Sequence, residues 1–159
     1  MHHKRSFRRK LQTFFLSLLL VLLTVAGVPS AAYTAEAASA DTTMAVHFLD
    51  VGQGLSILVQ SQGQNLLYDG GDRGHSSFVV SYLQKQNISI IDYMISSHYD
   101  KDHVAGLVGC LDSFSVKNVI GADYVQDTKI YQSFENSVAA QGLTVQHPEP
   151  GTDFTFGGG

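Results

Sequence analysis

The 159-residue sequence predicts a layered α/β domain that follows an apolar leader. Two observations within the domain carry this prediction. Apolar segments separated by glycine turns extend to residue 68, and beyond that point apolar residues alternate between helical and strand spacing. A strand meander followed by alternating helices and strands is typical of an α/β layered domain. The composition, 44% hydrophobic and 15% charged, fits an ordinary globular domain.

The first 40 residues are predicted to be a secretory signal peptide. Five basic residues lie within the first ten, an apolar run covers 11–28, and small residues lead to Ala38-Ser39-Ala40. That order is the signal-peptide pattern, with cleavage preferred near Ala40 and Ala35-Glu36-Ala37 as the next site. We therefore expect a secreted or extracytoplasmic domain at 41–159. The alternative is a membrane anchor, because an uncleaved run of this length can just span a bilayer.

The charge and cysteine content of the domain exclude two classes of protein. Residues 41–159 carry 13 acidic and 5 basic side chains, a net charge of −8. Phosphate binding depends on Lys and Arg, so a general basic surface for nucleic acid is excluded and DNA is disfavoured as a partner. The one cysteine, Cys110, excludes an internal disulfide. It shares a helical face with Leu107 and Leu111, which favours a buried, inert thiol.

The elements of the domain follow from apolar spacing and turn residues. Apolar runs bounded by turn residues predict strands at 45–49, 55–60, 65–68, 88–97, 116–120 and from 143. Apolar residues at helical spacing predict helices at 76–83, 104–114 and 130–142. Ser76-Ser77 can cap the first helix, and the strand at 88–97 is expected to be buried on both faces. Phe154 and Phe156 alternate as at the start of a further strand.

The strongest chemical signal is the hexapeptide His98-Tyr99-Asp100-Lys101-Asp102-His103, which lies between a strand and a helix. His98 and Asp100 are two residues apart, so an extended backbone places them on one side. Asp102 and His103 fall at the turn into the helix. Imidazole nitrogen and carboxylate oxygen suit Zn²⁺ or Mn²⁺, and the spacing permits two adjacent ions sharing a hydroxide. The alternative, a solvated polar loop, is disfavoured because unpaired charge beside buried elements is costly.

The H-x-D-x-D-H pattern resembles the metallo-β-lactamase-fold signature H-x-H-x-D-H, with Asp100 in place of the second histidine. Together with the segments FLDVGQG at 48–54 and YDGG at 68–71, it is similar to the C-terminal domain of ComEC-type competence proteins and their secreted relatives. The resemblance covers about residues 45–156. It implies an αβ/βα sandwich with a metal site at the edge of two sheets.

The resemblance also implies roles for particular residues. The implied metal ligands are His98 and Asp100 for the first ion, and Asp102 and His103 for the second. Asp102 would also hold the water that acts as the nucleophile. Asp50 and Asp69 would support the ligands from behind, although an aspartate before glycine is often a turn residue instead.

The sequence departs from the family pattern in three ways. Asp100 replaces a nitrogen ligand by a harder oxygen ligand, so the site is compatible with Mn²⁺ as well as Zn²⁺. Leu55 stands where relatives often carry an acidic residue. Family members also place a bridging Asp and further His ligands in a second half that is missing here, so we expect an incomplete sandwich. The remaining domain histidines, His47, His75 and His147, are expected to be structural or loop residues.

These observations predict a metal-dependent hydrolase that uses a metal-activated water. Phosphodiester or phosphate-ester bonds are favoured, because paired metals suit in-line displacement at phosphorus. Ser96 and Ser97 flank the site but lack a separate base at recognisable spacing, so neither is predicted to be a nucleophile. The alternative is a truncated, non-catalytic metal-binding fragment, since the chain as given is expected to be inactive without the second half. Membrane contact is expected only through an uncleaved leader.

Overall fold

The structure, a computed structural model, describes residues 43–157. The predicted signal peptide and its cleavage sites lie outside these residues. The strands are β1 Met44–Phe48, β2 Ile57–Ser61, β3 Gln64–Tyr68, β4 Ile90–Ser96, β5 Ser115–Gly121 and β6 Val145–Gln146. The helices are α1 Ser76–Lys85, α2 Lys101–Ser113 and α3 Lys129–Ala140, with a 3₁₀ turn at Arg73–His75 before α1. None of these helices is long and apolar enough to cross a membrane.

The six strands form one mixed sheet in the order in which they occur along the chain. Strands β1, β2 and β3 are antiparallel, with a tight turn between β2 and β3, whereas β3 to β6 are parallel. Parallel neighbours need a crossover, and α1, α2 and α3 supply one each. The predicted meander followed by alternating helices and strands is therefore confirmed.

One face of the sheet forms the core with the helices. A row of cross-strand partners through Leu58, Leu67, Met94 and Val119 is fully buried. The helices contribute their apolar stripes to the same cluster: Val79 and Leu83, Val104, Leu107, Cys110 and Leu111, Phe134 and Val138. Burial raises the pKa of the Cys110 thiol to about 12, as expected of a thiol packed as a small hydrophobe.

The opposite face of the sheet is apolar but less covered. The neighbouring row runs through Phe48, Ile57, Tyr68, Ile95 and Ile120, of which Phe48 is 76% exposed and the others are partly exposed. The prediction that β4 is buried on both faces is therefore wrong. Its alternation between buried and partly exposed positions follows from helices packing against one face only.

The segment after β6 is the second departure from prediction. Residues 152–156 do not form a strand. Instead, the rings of Phe154 and Phe156 lie against Tyr93 on the less covered face, with centroid distances of 5.0 and 6.3 Å. Gly157 donates its N–H to the Gln64 side chain at 2.6 Å. Side-chain packing rather than strand pairing holds this segment on the sheet.

Candidate metal centre

The predicted ligand loop lies at the carboxyl edge of the parallel strands. Ser97 follows β4 directly, and Asp69 follows β3, its parallel neighbour. The Asp69 N–H donates to the Ile95 carbonyl at 2.8 Å, which extends the pairing past the end of β3. Carboxyl edges of parallel strands are where α/β folds usually place their sites.

Asp69 is fully buried and accepts three hydrogen bonds. Its Oδ1 accepts from the Ser97 backbone N–H at 2.8 Å, and its Oδ2 accepts from Ser97 Oγ at 2.7 Å and from His103 Nδ1 at 2.8 Å. Asp69 also has φ +57°, a left-handed conformation that costs most non-glycine residues about 1–2 kcal/mol. The three hydrogen bonds hold the carboxylate in this place despite that cost.

The contact with Asp69 determines which nitrogen of His103 is free. A carboxylate only accepts, so His103 Nδ1–H is the donor, and in the neutral imidazole the lone pair is on Nε2. This Nε2 lies 3.9 Å from Asp102 Oδ2. Metal-ligating histidines commonly bind a carboxylate through the other ring nitrogen. The arrangement at His103 has that form.

Ser97 transmits the same constraint to His98. The hydroxyl has one hydrogen, which it donates to Asp69, so Ser97 Oγ accepts from His98 Nδ1–H at 2.9 Å. In the neutral form of His98 the lone pair is then on Nε2, which lies 3.6 Å from Asp100 Oδ2. One buried carboxylate therefore sets the tautomer of both neutral imidazoles, whose ring centroids are 4.0 Å apart. The sequence analysis considered Ser97 only as a nucleophile, which it rejected, and missed this role, although its position directly before His98 was visible.

The two predicted carboxylate ligands differ in exposure. The Asp100 side chain is 63% exposed, and its Oδ1 accepts from Gln126 Nε2 at 3.3 Å. The Asp102 side chain is 19% exposed, and its Oδ2 accepts a weak contact from Gln53 Nε2 at 3.4 Å. Neither glutamine was predicted to touch the site. Both carboxylates keep oxygen lone pairs beyond these single contacts.

The donor chemistry fits Zn²⁺ or Mn²⁺, but the set is short. The structure brings the predicted ligands together in the two predicted pairs, each with a nitrogen and an oxygen within 4 Å. Within residues 43–157, no group of three or more His, Cys, Asp or Glu side chains is placed to hold one metal ion. Zinc sites use three or four protein ligands. The described residues therefore offer imidazole and carboxylate donors of the expected kind, but only in groups of two.

Glycines allow the turns to approach the ligand loop. A side chain at Gly54, which has φ +105°, would collide with the backbone carbonyl of Asp102. A side chain at Gly106 in α2 would collide with the carbonyl of Gly70. The Gly70 N–H donates to the His103 carbonyl at 2.8 Å, so the turn after Asp69 is fastened to the first turn of α2.

The remaining predicted residues lie as follows. Asp50 is exposed, and its Oδ1 accepts from the Gly52 N–H at 3.2 Å, which is the bond of a turn residue. Its supporting role in the metal site stays a prediction. His47 contacts Tyr82 Oη at 2.9 Å, and His147 contacts the Gly121 carbonyl at 3.0 Å, each through Nδ1. His75 lies 3.9 Å from an Asp72 oxygen.

Comparisons with known proteins find a matching family and similar bacterial proteins. The Metallo-beta-lactamase superfamily model matches residues 49–155. "Recombination protein 2" of Haemophilus influenzae is 39% identical over 77 residues, which are 45% of this chain and 10% of that protein. "Competence protein ComA" of Neisseria gonorrhoeae is 36% identical over 63 residues, 39% of this chain and 9% of that protein. The chain thus spans about a tenth of the length of these relatives.

Solved structures agree on the fold. A metallo-beta-lactamase from Cronobacter sakazakii, mutated in its HARLDQ motif, aligns with a TM-score of 0.53 at 15% identity over 71% of this chain and 48% of its own. A second structure of the Cronobacter protein gives a TM-score of 0.52 at 15% identity, with coverages of 71% and 46%. The predicted fold class is confirmed, and the chain spans about half the length of these structures.

Proposed function

The chain belongs to the metallo-beta-lactamase superfamily, and on that premise we propose that it carries part of the metal site of a hydrolase of phosphodiester or phosphate-ester bonds. The observation that supports this proposal is the arrangement around Asp69. That single carboxylate and Ser97 leave lone pairs on Nε2 of both His98 and His103. A polar loop without a ligand has no need for two imidazoles fixed in this tautomer.

The histidines and aspartates of the loop would have different roles. Nε2 of His98 and of His103 would bind metal, each beside its carboxylate, Asp100 or Asp102. A bound divalent ion supplies Lewis acidity and a water of lowered pKa. Asp102 is the less exposed of the two carboxylates, and we propose that it orients the attacking water and accepts its proton.

Phosphorus is the favoured electrophile because paired metals suit in-line displacement there. The names of the two relatives, which refer to recombination and competence, are compatible with a phosphodiester substrate. The −8 charge of residues 41–159 opposes loose binding of DNA. We therefore propose a small phosphodiester as a substrate on equal terms with DNA. We further propose that residues 1–40 direct export, which would place the reaction outside the cytoplasm.

The test compares two substitutions on one helix of the full-length protein. We expect wild type to take up Zn²⁺ or Mn²⁺ and to hydrolyse bis(p-nitrophenyl) phosphate, and Asp102→Ala to lose about 100-fold in kcat/KM. The control Asp112→Ala removes an exposed aspartate from the last turn of α2 and should match wild type. Equal turnover and metal content in wild type and Asp102→Ala would refute the proposal.

The second candidate function is that of a metal-binding fragment without turnover. The observation that favours it is that the candidate ligands come in pairs, and no group of the described residues offers three ligands to one ion. Under this hypothesis wild type binds zinc, Asp102→Ala binds it more weakly, and neither hydrolyses the phosphodiester. Turnover by wild type that Asp102→Ala abolishes would exclude the fragment.

A further inference from the structure

The few basic residues of this acidic domain are unevenly placed. Of the five after residue 40, Lys117 pairs with Asp92 at 2.7 Å and Lys85 ends α1. The other three, Arg73, Lys101 and Lys129, all line one cavity of about 440 Å³. They come from the 3₁₀ turn, the start of α2 and the start of α3. Long-range packing has therefore gathered most of the domain's positive charge in one place.

Among residues 43–157, no ion pair is formed by any of these three cations. In the part of the chain that the structure describes, none of them lies within 4 Å of a carboxylate oxygen. The cavity contains one acid, Asp72, whose Oδ1 accepts from the Gly74 N–H. The lining thus carries a net +2 in a domain of net −8. A cleft of one sign concentrates ions of the opposite sign, here anions.

The backbone adds to the same preference. Lys101 and Lys129 are the first residues of α2 and α3, helices of 13 and 12 residues. The cavity lies beside the first turns of both helices, against Lys101 and Ala105 of α2 and against Lys129 and Ser133 of α3. The first turn of a helix carries partial positive charge, which favours phosphate-class anions nearby. Side-chain charge and helix ends act together on one space.

This cavity adjoins the metal-ligand loop. A neighbouring cavity of about 520 Å³ is lined by Asp100 and Asp102. The two cavities share Lys101, Lys129 and Ile130 in their walls. A molecule with one phosphate beside Asp102 could therefore reach past the lysines toward Arg73.

We infer that the cavity of Arg73, Lys101 and Lys129 is an anion subsite that takes a second phosphate-class group of the substrate. Its role in hydrolysis rests on the proposed function, whereas its capacity to bind an anion does not. The second group would sit among the three cations, and its charge would offset their mutual repulsion. The substrate class is accordingly a molecule with at least two phosphates, one at the metal loop and one at this subsite.

The binding test uses inorganic pyrophosphate and the full-length protein in EDTA, by isothermal titration calorimetry. We expect Arg73→Gln and Lys129→Gln each to weaken binding about fivefold. Lys85→Gln, which removes a cation outside the cavity, should bind as wild type does. Raising the salt should weaken wild-type binding, because exposed charges are screened. Failure of wild type to bind, or equal affinity in all four proteins, would overturn the subsite.

The kinetic test separates the subsite from the proposed function. The probes are thymidine 5′-(p-nitrophenyl phosphate) and the same ester with an added 3′-phosphate. We expect wild type to show about a fivefold lower KM for the second ester, Lys129→Gln to lose this preference, and Lys85→Gln to keep it. Turnover of both esters with equal KM would overturn the role of the second phosphate. Pyrophosphate binding that depends on Lys129, without turnover of either ester, would support the anion site and refute the hydrolase.

Discussion

Replacing Asp69 by asparagine should impair metal binding without touching a proposed ligand. The amide keeps the shape of the carboxylate but has one acceptor oxygen and one NH₂ group. If the oxygen serves the Ser97 N–H, the NH₂ faces Ser97 Oγ and His103 Nδ1. Nδ1 must then give up its hydrogen, and the proton moves to Nε2. The Ser97 hydroxyl then accepts from the new NH₂ group, which frees its own hydrogen for donation to His98 Nδ1. The hydrogen of a neutral His98 ring is then on Nε2 as well.

The opposite amide orientation is no better. It turns the NH₂ toward the Ser97 backbone N–H, which leaves two buried donors facing each other at a cost of about 1–3 kcal/mol. Losing a partner of this kind typically lowers metal affinity about 10–100-fold, or roughly 1.4–2.8 kcal/mol. We expect the zinc affinity of Asp69→Asn to fall by a factor in that range. We also expect the free energy of unfolding of the metal-free protein to fall by about 2 kcal/mol.

The assay is a zinc titration against a chromophoric chelator, paired with urea unfolding in EDTA. The matched control is Asp92→Asn, because Asp92 is also buried and accepts from the Asn65 N–H at 2.9 Å and from Lys117 Nζ at 2.7 Å. Both variants should lose similar stability, and Asp69→Asn alone should lose zinc affinity. Equal zinc affinity in the two variants would refute the tautomer argument.

Two further predictions concern the packing beneath the site. Gly106→Ala should destabilise the protein by about 3 kcal/mol or more in urea unfolding, because its Cβ would overlap the Gly70 carbonyl; an unchanged midpoint would contradict the close approach of the turn and α2. Cys110 should resist a thiol reagent such as dithionitrobenzoate at pH 8 until urea unfolds the chain. Burial raises the pKa of Cys110 from 9.0 to about 12. The stability that the neutral thiol contributes is therefore complete below pH 9 and is lost as the pH rises from 9 through 12. Unfolding of Cys110→Ala at alkaline pH should lack this component.

Local patterns were enough to predict most of the elements. The glycines after β1 and β3 end their strands, and apolar spacing marks α1 to α3. The two side-chain pairs of the loop were also predictable, because His98 with Asp100 and Asp102 with His103 are close in sequence. Strand bounds moved by one or two residues. The first turn of α2 was missed because Lys101, Asp102 and His103 are polar and carry no apolar period.

Three features depend on contacts that no local pattern contains. The parallel register, with Tyr68 opposite Ile95, brings Asp69 beside Ser97 and so joins the two histidines to one carboxylate. The partial exposure of β4 depends on which face the helices cover. The gathering of Arg73, Lys101 and Lys129 depends on how two helix starts and a 3₁₀ turn meet.

The sequence by itself determined the order of strands and helices, the position of the His/Asp loop and the family, because turn chemistry and residue spacing act over a few neighbouring positions. Only the tertiary structure decided which tautomer each neutral imidazole adopts and where the positive charge collects. Those outcomes depend on hydrogen bonds and packing between segments far apart in the chain, whose register is set by burying the whole sheet face at once.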